Sequence, residues 1–375
     1  MAIDLKGLKV KELRMMLKER GLSSEGKKPQ LIARLKSSSS SQSENEDTQI
    51  VQKKEIYFHI GLPKTGTTSI QHYCKDNMSQ LVKDGLHYVQ SYRCEKNQCD
   101  DQKCRGKPKH GELTRALLSV DPNNLPDYKA KIFESIREEV ESTDSTKFLI
   151  SAEGLQALVD ADEYMESILR KEFGLLQDSF SCKIICYVRE PFEHLKSKYN
   201  SKSRKHPNAG LFIDYVIKHS NQTSRLDLSS SINFYSKIIG SENVIVKLFD
   251  KKAGNSLLED FFETIGINHK IKNKVVEKNK GANSSELMKI RHELIEKSDV
   301  NAKTKEKWFF GKSSISNKEW KRFLRALEVA NINNKKLFKK YFGMKVKNIQ
   351  LHKLILYERR VNRDPLIESF NNTGK

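Results

Sequence analysis

The sequence predicts an α/β protein in which helices flank a parallel sheet, with a small helix–turn–helix module before it and a helical C-terminal region after it. Apolar runs alternate with segments of helical periodicity, which is the pattern of βα units. A Ser-rich segment separates the first 36 residues from the rest, and Lys318–Tyr341 has helical periodicity alone. Strands are predicted at 55–60, 147–151, 182–188 and 244–249, with a further candidate at 86–90.

The composition is that of a folded, strongly basic protein. The 375 residues include 68 Lys or Arg and 48 Asp or Glu, which gives a formal net charge of +20. Hydrophobic residues make up 37% of the chain, enough to bury a core and exclude wholesale disorder. We find no apolar run of about 18 residues, the length of a membrane span, and no signal-peptide core. We therefore expect a cytoplasmic protein with polyanionic partners and no membrane association.

The positive charge is unevenly distributed and divides the chain. Residues 1–36 have a net charge of +6, because ten Lys or Arg face four acids. Residues 37–52 open with six Ser in seven positions and carry three acids and no base. Such a segment lacks apolar periodicity and is typical of a flexible linker. The predicted segments are a module at 1–36, a linker at 37–53, an α/β domain at 54–345 and a C-terminal tail or helix at 346–375.

The N-terminal module is predicted to contain two short helices. Apolar residues at helical spacing mark a helix over 8–17, Gly21 fits its end, and Pro29 fits the start of a second helix. The stretch LKVKELRMMLKERGLSSEGKKPQLIARL resembles the SAP domain. That resemblance implies DNA or RNA binding through phosphate contacts, whereas a protein-docking module is the alternative. The candidate nucleic-acid-binding residues are Arg14, Lys18, Lys27, Lys28 and Arg34, with Arg20 beside them.

A predicted anion site follows the first strand. Residues 55–60 alternate as a strand does, Gly61–Thr68 form a loop rich in Gly, Pro and Thr, and Ser69–Met78 are predicted to be helical. A strand, a small-residue loop and a helix N-terminus together direct free backbone N–H groups and the helix dipole at a ligand. An ordinary βα turn is the alternative.

The loop differs from the Walker A loop of nucleotide kinases and ATPases. Gly61 and Gly66 have the Walker A spacing, but Thr67 stands where that loop needs Lys, and the nearby lysine is Lys64. Residues 63–68, PKTGTT, instead resemble the 5′-phosphosulfate loop of sulfotransferases that use 3′-phosphoadenosine 5′-phosphosulfate (PAPS). The resemblance implies that PAPS is the donor and that the loop binds it. The implied donor-binding residues are Lys64, Thr65, Gly66, Thr67 and Thr68.

A second predicted anion site lies at another strand end. Arg189 follows the apolar run Ile184–Val188, and Ser197 lies about two helical turns along. Ligands of open α/β sheets bind at the carboxyl ends of strands, and Arg suits a phosphate monoester there. The pair resembles the 3′-phosphate motif of sulfotransferases. A structural ion pair for Arg189 and an incidental hydroxyl for Ser197 are the alternatives. A late basic loop of that family implies further donor contacts from Lys280 and Gly281, with Lys278 beside them.

The resemblance implies transfer of a sulfuryl group to a hydroxyl or amine, with Lys64 stabilising the leaving group and no metal required. A base must take the acceptor proton. Glu153 is the first candidate because it follows the strand KFLIS, and its alternative role is to stabilise a helix dipole. His110 is the second candidate, whereas His59 is expected to be a structural imidazole with satisfied hydrogen bonds.

The six cysteines do not form a typical metal motif. Cys182 and Cys186 lie in an apolar strand and are expected to be buried, reduced thiols. Cys94, Cys99 and Cys104 lack the paired C-x₂₋₄-C spacing of zinc sites, so a zinc site with His110 is disfavoured and we expect no metal.

Three functions remain in competition at this point. The first is a PAPS sulfotransferase with a nucleic-acid-binding appendage and an unidentified acceptor, carbohydrate being one candidate. The second is a P-loop-type nucleotide phosphotransferase or NTPase tethered to nucleic acid, which Thr67 disfavours. The third is a non-catalytic adaptor, which the intact loop disfavours.

Overall fold

The structure is a computed structural model, in which the chain divides into two compact units, Met1–Gln52 and Lys53–Lys375. The structure describes residues 9–19, 24–32, 35, 53–94, 108–119, 125–206, 212–218, 226–249, 256–271, 293–294, 297–299, 316–350 and 353. Most of the predicted linker at 37–53 lies outside these ranges, so its boundaries stay predictions.

The N-terminal unit has a small apolar core between two helical segments. Helix α1 spans Val10–Glu19, two residues later than predicted, and residues 28–32 are helical. The Lys9 amide donates to Glu12 Oε2 at 2.7 Å, which satisfies a free N–H group at the helix start. The core consists of four fully buried leucines, Leu13, Leu17, Leu31 and Leu35. So few side chains make a marginal core on general grounds.

The second unit is built on five parallel strands, which confirms the predicted sheet. Their spatial order is β2-β3-β1-β4-β5, so the first strand of the chain lies at the centre. The short second strand ends two residues earlier than predicted. The strands are β1 (Glu55–His59), β2 (Leu86–Tyr88), β3 (Lys147–Ser151), β4 (Ser181–Val188) and β5 (Val244–Leu248).

Both faces of the sheet are buried, which explains why the strands read as nearly continuous apolar runs. Along β1, Ile56 and Phe58 pack into the core on one face, whereas Tyr57 packs into the core on the other. The register aligns His59 with Ser151 of β3 and with Ile185 of β4. The strand ends that carry the predicted site residues are therefore neighbours.

Helices cover the two faces at the predicted places. The helix after β1 begins at Thr67, two residues before the predicted start. The helices of this unit are α2 (Thr67–Asp76), α3 (Met78–Lys83), α4 (Gly111–Leu118), α5 (Leu125–Glu141), α6 (Glu163–Ser179), α7 (Pro191–Ser203), α8 (Phe212–Lys218), α9 (Ser229–Ile239), α10 (Ser256–Thr264) and α11 (Asn317–Phe342), with a 3₁₀ helix at Glu153–Asp160.

The C-terminal region begins with a well-capped helix, as the sequence predicted. Ser316 and Glu319 form a capping box before α11, and Gly343 ends the helix with φ +63°. The chain then packs back on the helix, because the Ile349 amide donates to Asn331 Oδ1 at 2.7 Å. Contacts therefore continue past the predicted boundary at 345. No helix in the described part of the chain is long and apolar enough to cross a membrane.

Candidate active site

Three of the predicted site residues lie at the carboxyl edge of the sheet, around its central strand. The chain leaves β1 toward β2 on one side, and leaves β4 toward β5 on the other. Loops that diverge in this way open a crevice at the topological switch point, where α/β sheets bind ligands. Lys64 follows β1, Glu153 follows β3, and Arg189 follows β4.

The loop after β1 holds its shape through its backbone. Gly61, Lys64 and Gly66 have φ values of +23°, +75° and +82°, which places them in the region where side chains are disfavoured. Thr65 is fully buried, and its hydroxyl donates to the Leu62 carbonyl at 2.5 Å. Thr65 therefore fixes the loop from inside.

The N-terminus of α2 presents unused amides. The Ser69 and Ile70 amides donate to the Gly66 carbonyl at 2.9 and 3.3 Å, so the Thr67 and Thr68 amides precede the first bonds of the helix. Such N-terminal N–H groups, together with the helix dipole, bind anions. The earlier start of α2 thus places the last two threonines of PKTGTT, Thr67 and Thr68, in the first turn.

Phe249 connects this loop with Arg189. The Arg189 guanidinium carbon lies 5.8 Å from the centroid of the Phe249 ring. A Cβ on Gly66 would lie 3.1 Å from Phe249 Cε2 and 2.2 Å from Leu257 Cδ2. One ring therefore contacts both predicted anion-binding elements, which places them side by side. Sequence reasoning placed Phe249 only at the end of a predicted strand, although its position after β5 at the same edge was a usable signal.

Arg189 is largely buried and lies where helix α7 begins. Its side chain is 15% exposed, and Nη2 lies 3.4 Å from Glu193 Oε2. Glu190 caps α7, since its carboxylate accepts the Glu193 amide at 2.8 Å, and Pro191 opens the helix. Ser197 lies on the same helix and is partly buried. The Glu193 contact matches the ion-pair alternative for Arg189 and leaves its other nitrogens able to donate.

Sequence reasoning missed His194, which lies between these two residues on α7. It is fully buried, and among the described residues neither ring nitrogen has a hydrogen-bond partner. Burial lowers the pKa of His194 well below its usual value, and the nearby charges of Lys198 and Arg189 lower it further. A buried polar group without a partner is costly, so this imidazole marks a place where a ligand group would be stabilising.

A cavity of about 510 Å³ opens beside Lys64 and Glu153. Its walls come from the loop after β1, the 3₁₀ helix after β3, helix α7 and helix α8. The lining residues are Pro63, Lys64, Glu153, Gly154, Gln156, Ala157, Asp160, Lys198, Ser201, Lys202, Lys205, His206 and Tyr215. Sequence reasoning did not identify the three α7-side lysines, although their spacing of four and three residues is that of one helix face.

Burial and neighbouring charges both act on the pKa values of Lys64 and Glu153, the two cavity residues predicted to be catalytic. Burial lowers the pKa of Lys64, the positive charges of Lys205 and Arg204 lower it further, and the Glu153 carboxylate raises it. Burial raises the pKa of Glu153, whereas Lys109, Lys64 and Lys198 lower it. The two side chains thus lie within electrostatic range of each other, and desolvation moves both toward neutrality.

His110 supports the sheet edge instead of facing the cavity. Nε2 bonds to the Val89 carbonyl at 2.7 Å, and Nδ1 accepts the Ser151 amide at 3.0 Å. Burial lowers its pKa to about 4, so the imidazole is neutral with both nitrogens engaged. This geometry provides no nitrogen for an acceptor proton, and we assign His110 to structural support instead of the base role predicted from the sequence.

His59 differs from the expected, fully satisfied structural imidazole. Its Nδ1 lies 2.9 Å from Ser151 Oγ, which also accepts from Gln71 Nε2 at 3.0 Å. Its Nε2 has no partner among the described residues, and a Cβ on Gly61 would lie 3.0 Å from it. Burial lowers the pKa of His59 to about 3. A neutral imidazole therefore lies directly beneath the loop.

The remaining predictions fall partly outside the described residues. Arg20, Arg34, Lys278, Lys280, Gly281, Cys99 and Cys104 lie there. Within the described residues of the N-terminal unit, Arg14, Lys18 and Lys27 are exposed and Lys28 is partly buried. The described cysteines are buried free thiols, and no cluster of three or more potential metal ligands occurs in the described ranges. Burial raises the pKa of both Cys182 and Cys186 to about 12.

Comparisons with known proteins give a family match for the N-terminal module and structural neighbours that are sulfotransferases. The SAP domain family model matches residues 4–38, which confirms the resemblance of the N-terminal module. No curated protein matches the chain. The sulfotransferase domain of the Synechococcus PCC 7002 olefin synthase is 11% identical with a TM-score of 0.36, covering 76% of this chain and 98% of its own. A sulfotransferase from Alicyclobacillus acidocaldarius is 12% identical with a TM-score of 0.37. The match covers 64% of this chain and 89% of that sulfotransferase.

Proposed function

We propose that the protein is a PAPS-dependent sulfotransferase whose N-terminal SAP domain binds nucleic acid. One observation carries the proposal for the second unit: the PKTGTT loop and Arg189 lie at the same sheet edge, and both lie next to Phe249. A donor with a phosphosulfate at one end and a phosphate monoester at the other needs two adjacent anion sites of this kind.

In this proposal the two anion sites hold the two ends of the donor. The amides of Thr65 to Thr68 and the Lys64 ammonium bind the 5′-phosphosulfate, because a helix N-terminus and a lysine both favour negative charge. Arg189 and Ser197 bind the 3′-phosphate. His194 is a third candidate there, since its nitrogens have no partner among the described residues.

Sulfuryl transfer is a displacement at sulfur. The acceptor oxygen or nitrogen forms a bond to sulfur while the bond between sulfur and the 5′-phosphate oxygen breaks, and adenosine 3′,5′-bisphosphate (PAP) leaves. Lys64 stabilises the charge that develops on the leaving oxygen. Glu153 takes the acceptor proton, and burial supports this role because a raised pKa makes a carboxylate a stronger base.

The N-terminal module supplies the second part of the proposal. Arg14, Lys18 and Lys27 are exposed, and the SAP family match supports binding of nucleic acid through phosphate contacts. Fluorescence anisotropy of the full chain with labelled duplex DNA and RNA tests it. Arg14→Ala/Lys18→Ala should weaken binding and reduce its salt dependence, and equal binding by this variant and the parent would count against the module.

Calorimetry with PAP and with ATP tests the donor assignment. We expect the full chain to bind PAP more tightly than ATP, because ATP lacks the 3′-phosphate that Arg189 would bind. Transfer of ³⁵S from labelled PAPS to water or to an added acceptor then tests the reaction. A preference for ATP would support the P-loop-type phosphotransferase instead.

A further inference from the structure

The cavity beside Lys64 and Glu153 belongs to the acceptor side of the proposed reaction. Both residues assigned to the chemistry line it, whereas Arg189, Ser197 and His194, assigned to the donor, do not. A substrate in this cavity would therefore meet the reacting groups without competing for the 3′-phosphate subsite. At about 510 Å³, its size is within the range of small-molecule sites.

The cavity is strongly basic on one wall. Lys198, Lys202 and Lys205 follow one another at helical spacing on and just beyond α7, which places them along a single face. With a rise of about 1.5 Å per residue, the row extends over roughly 10 Å. Lys205 lies within electrostatic range of Lys64, whose pKa is lowered by burial and in part by Lys205, and Lys198 lies within range of Glu153, whose pKa it helps to lower. The row therefore runs beside the two residues assigned to the chemistry and makes their surroundings positive.

Other lining residues are polar or aromatic. Asp160 and Gln156 line the cavity from the 3₁₀ helix, and Tyr215 lines it from α8. Carboxylates and amides accept and donate hydrogen bonds to hydroxyl groups, and an aromatic face suits an apolar ring surface. The lysines favour a ligand with anionic groups, and the carboxylates favour a ligand that also has hydroxyl groups to donate hydrogen bonds.

We propose that the acceptor is an acidic saccharide, whose carboxylate or sulfate groups lie along Lys198, Lys202 and Lys205 while its reacting hydroxyl faces Glu153 and Lys64. This inference rests on the proposed sulfotransferase function and names its substrate class. In the reaction the sugar hydroxyl oxygen forms the bond to sulfur, its proton goes to the Glu153 carboxylate, and PAP leaves with the electron pair of the broken S–O bond.

The test compares acceptors that differ only in charge. Unsulfated chondroitin and heparosan oligosaccharides carry glucuronate, and their carboxyl-reduced forms keep the same sugars without the carboxylates. Transfer from ³⁵S-labelled PAPS by the full chain should show a kcat/KM at least about tenfold higher for the intact oligosaccharides, the effect of about 1.4 kcal/mol of charge recognition. A peptide with tyrosine among acidic residues is the third arm.

Variants locate the effect in the cavity wall. Lys202→Ala/Lys205→Ala should raise KM for the intact oligosaccharides about tenfold or more and leave KM for PAPS unchanged. Lys171→Ala is the matched control, since this lysine on α6 is 69% exposed and does not line the cavity, and it should leave both values unchanged.

The outcomes separate the inference from the function on which it rests. Failure of the protein to bind PAP in calorimetry would overturn both. Normal PAP binding with equal rates on intact and reduced oligosaccharides, with no transfer to any saccharide, or with preference for the peptide would overturn the acidic saccharide and leave the sulfotransferase proposal in place.

Discussion

The two sides of the candidate site are built by different means. On the β1 side, the loop from Gly61 to Gly66 is shaped by positive φ values and presents backbone amides at the start of α2. On the β4 side, α7 and the strand end before it present side chains: Arg189, His194 and the lysine row. The positions of backbone groups are fixed by the fold, whereas long side chains place their charges several ångströms from the backbone and can change conformation.

This difference predicts how each side responds to substitution. The loop should be most sensitive to changes that alter its backbone conformation, and least sensitive to the identity of exposed side chains such as Thr68. The α7 side should respond to loss of charge and to salt, because it acts through side chains in partial contact with solvent.

The largest effect is expected between the two sides, at Glu153. Glu153→Gln should lower kcat by about 10²–10⁴ because it removes the proposed general base. Burial raises the pKa of Glu153, so the active carboxylate is lost as pH falls through that raised value, and the parent should lose activity on the acid side. A pH–rate profile checks this. Asp160→Asn, the other cavity carboxylate, should keep the acid limb, and retention of that limb in Glu153→Gln would remove the base role.

Substitution of Lys64 tests the side chain through which the β1 side is proposed to act on the leaving group. Lys64→Ala should reduce kcat by about 10²–10³, since it removes a donor to the leaving oxygen, and its affinity for PAP should change much less. Single-turnover transfer measurements and calorimetry separate the two effects. Lys83→Ala, on α3, is the control. Full activity of purified, folded Lys64→Ala would contradict the assignment.

Arg189 tests the β4 side. Arg189→Ala should weaken PAP binding about 10- to 100-fold, because a hydrogen bond to a charged group contributes about 1.5–3 kcal/mol. Binding of adenosine 5′-monophosphate, which lacks the 3′-phosphate, should be unaffected. Calorimetry with both ligands checks this, and an equal loss for both would show that Arg189 supports the structure and not the 3′-phosphate.

Substitution of Gly66 should have the smallest effect of the four, and it tests the backbone conformation of the loop. Gly66→Ala places a Cβ at φ +82°, 2.2 Å from Leu257 Cδ2, and should lower the free energy of unfolding by about 1–2 kcal/mol. Denaturant unfolding measures it. Gly174→Ala on α6 is matched, because its Cβ would meet nothing within 4 Å, and should raise stability by about 0.5–1 kcal/mol. Equal effects of the two substitutions would show that the loop is not conformationally restricted.

The sequence predicted the parts of the site that depend on local pattern. The strand ends, PKTGTT and Arg189 all follow from runs of adjacent residues, so the sequence could predict the sheet and the places of the loop and of Arg189 at its edge. The start of α2 was placed two residues late because Thr67 and Thr68 read as loop residues, although Gly66 at φ +82° already begins the turn.

The unpredicted parts depend on which segments meet in space. The bond of His59 Nδ1 depends on Ser151 of β3, whose hydroxyl also accepts from Gln71 of α2, and these residues are far apart along the chain. His110 was a plausible base until its two backbone bonds were known. The cavity is lined by segments that are far apart along the chain, so its lysines were visible in the sequence but the site that they line was not.

Helix α7 has a consequence for how the two substrates bind together. Ser197, assigned to the donor, and Lys198, which lines the cavity, are consecutive residues of this helix. A rotation or shift of α7 that brings one of them closer to its ligand necessarily moves the other. Thermodynamic linkage then makes the effect reciprocal: whatever factor bound PAP applies to acceptor affinity, the acceptor applies to PAP affinity.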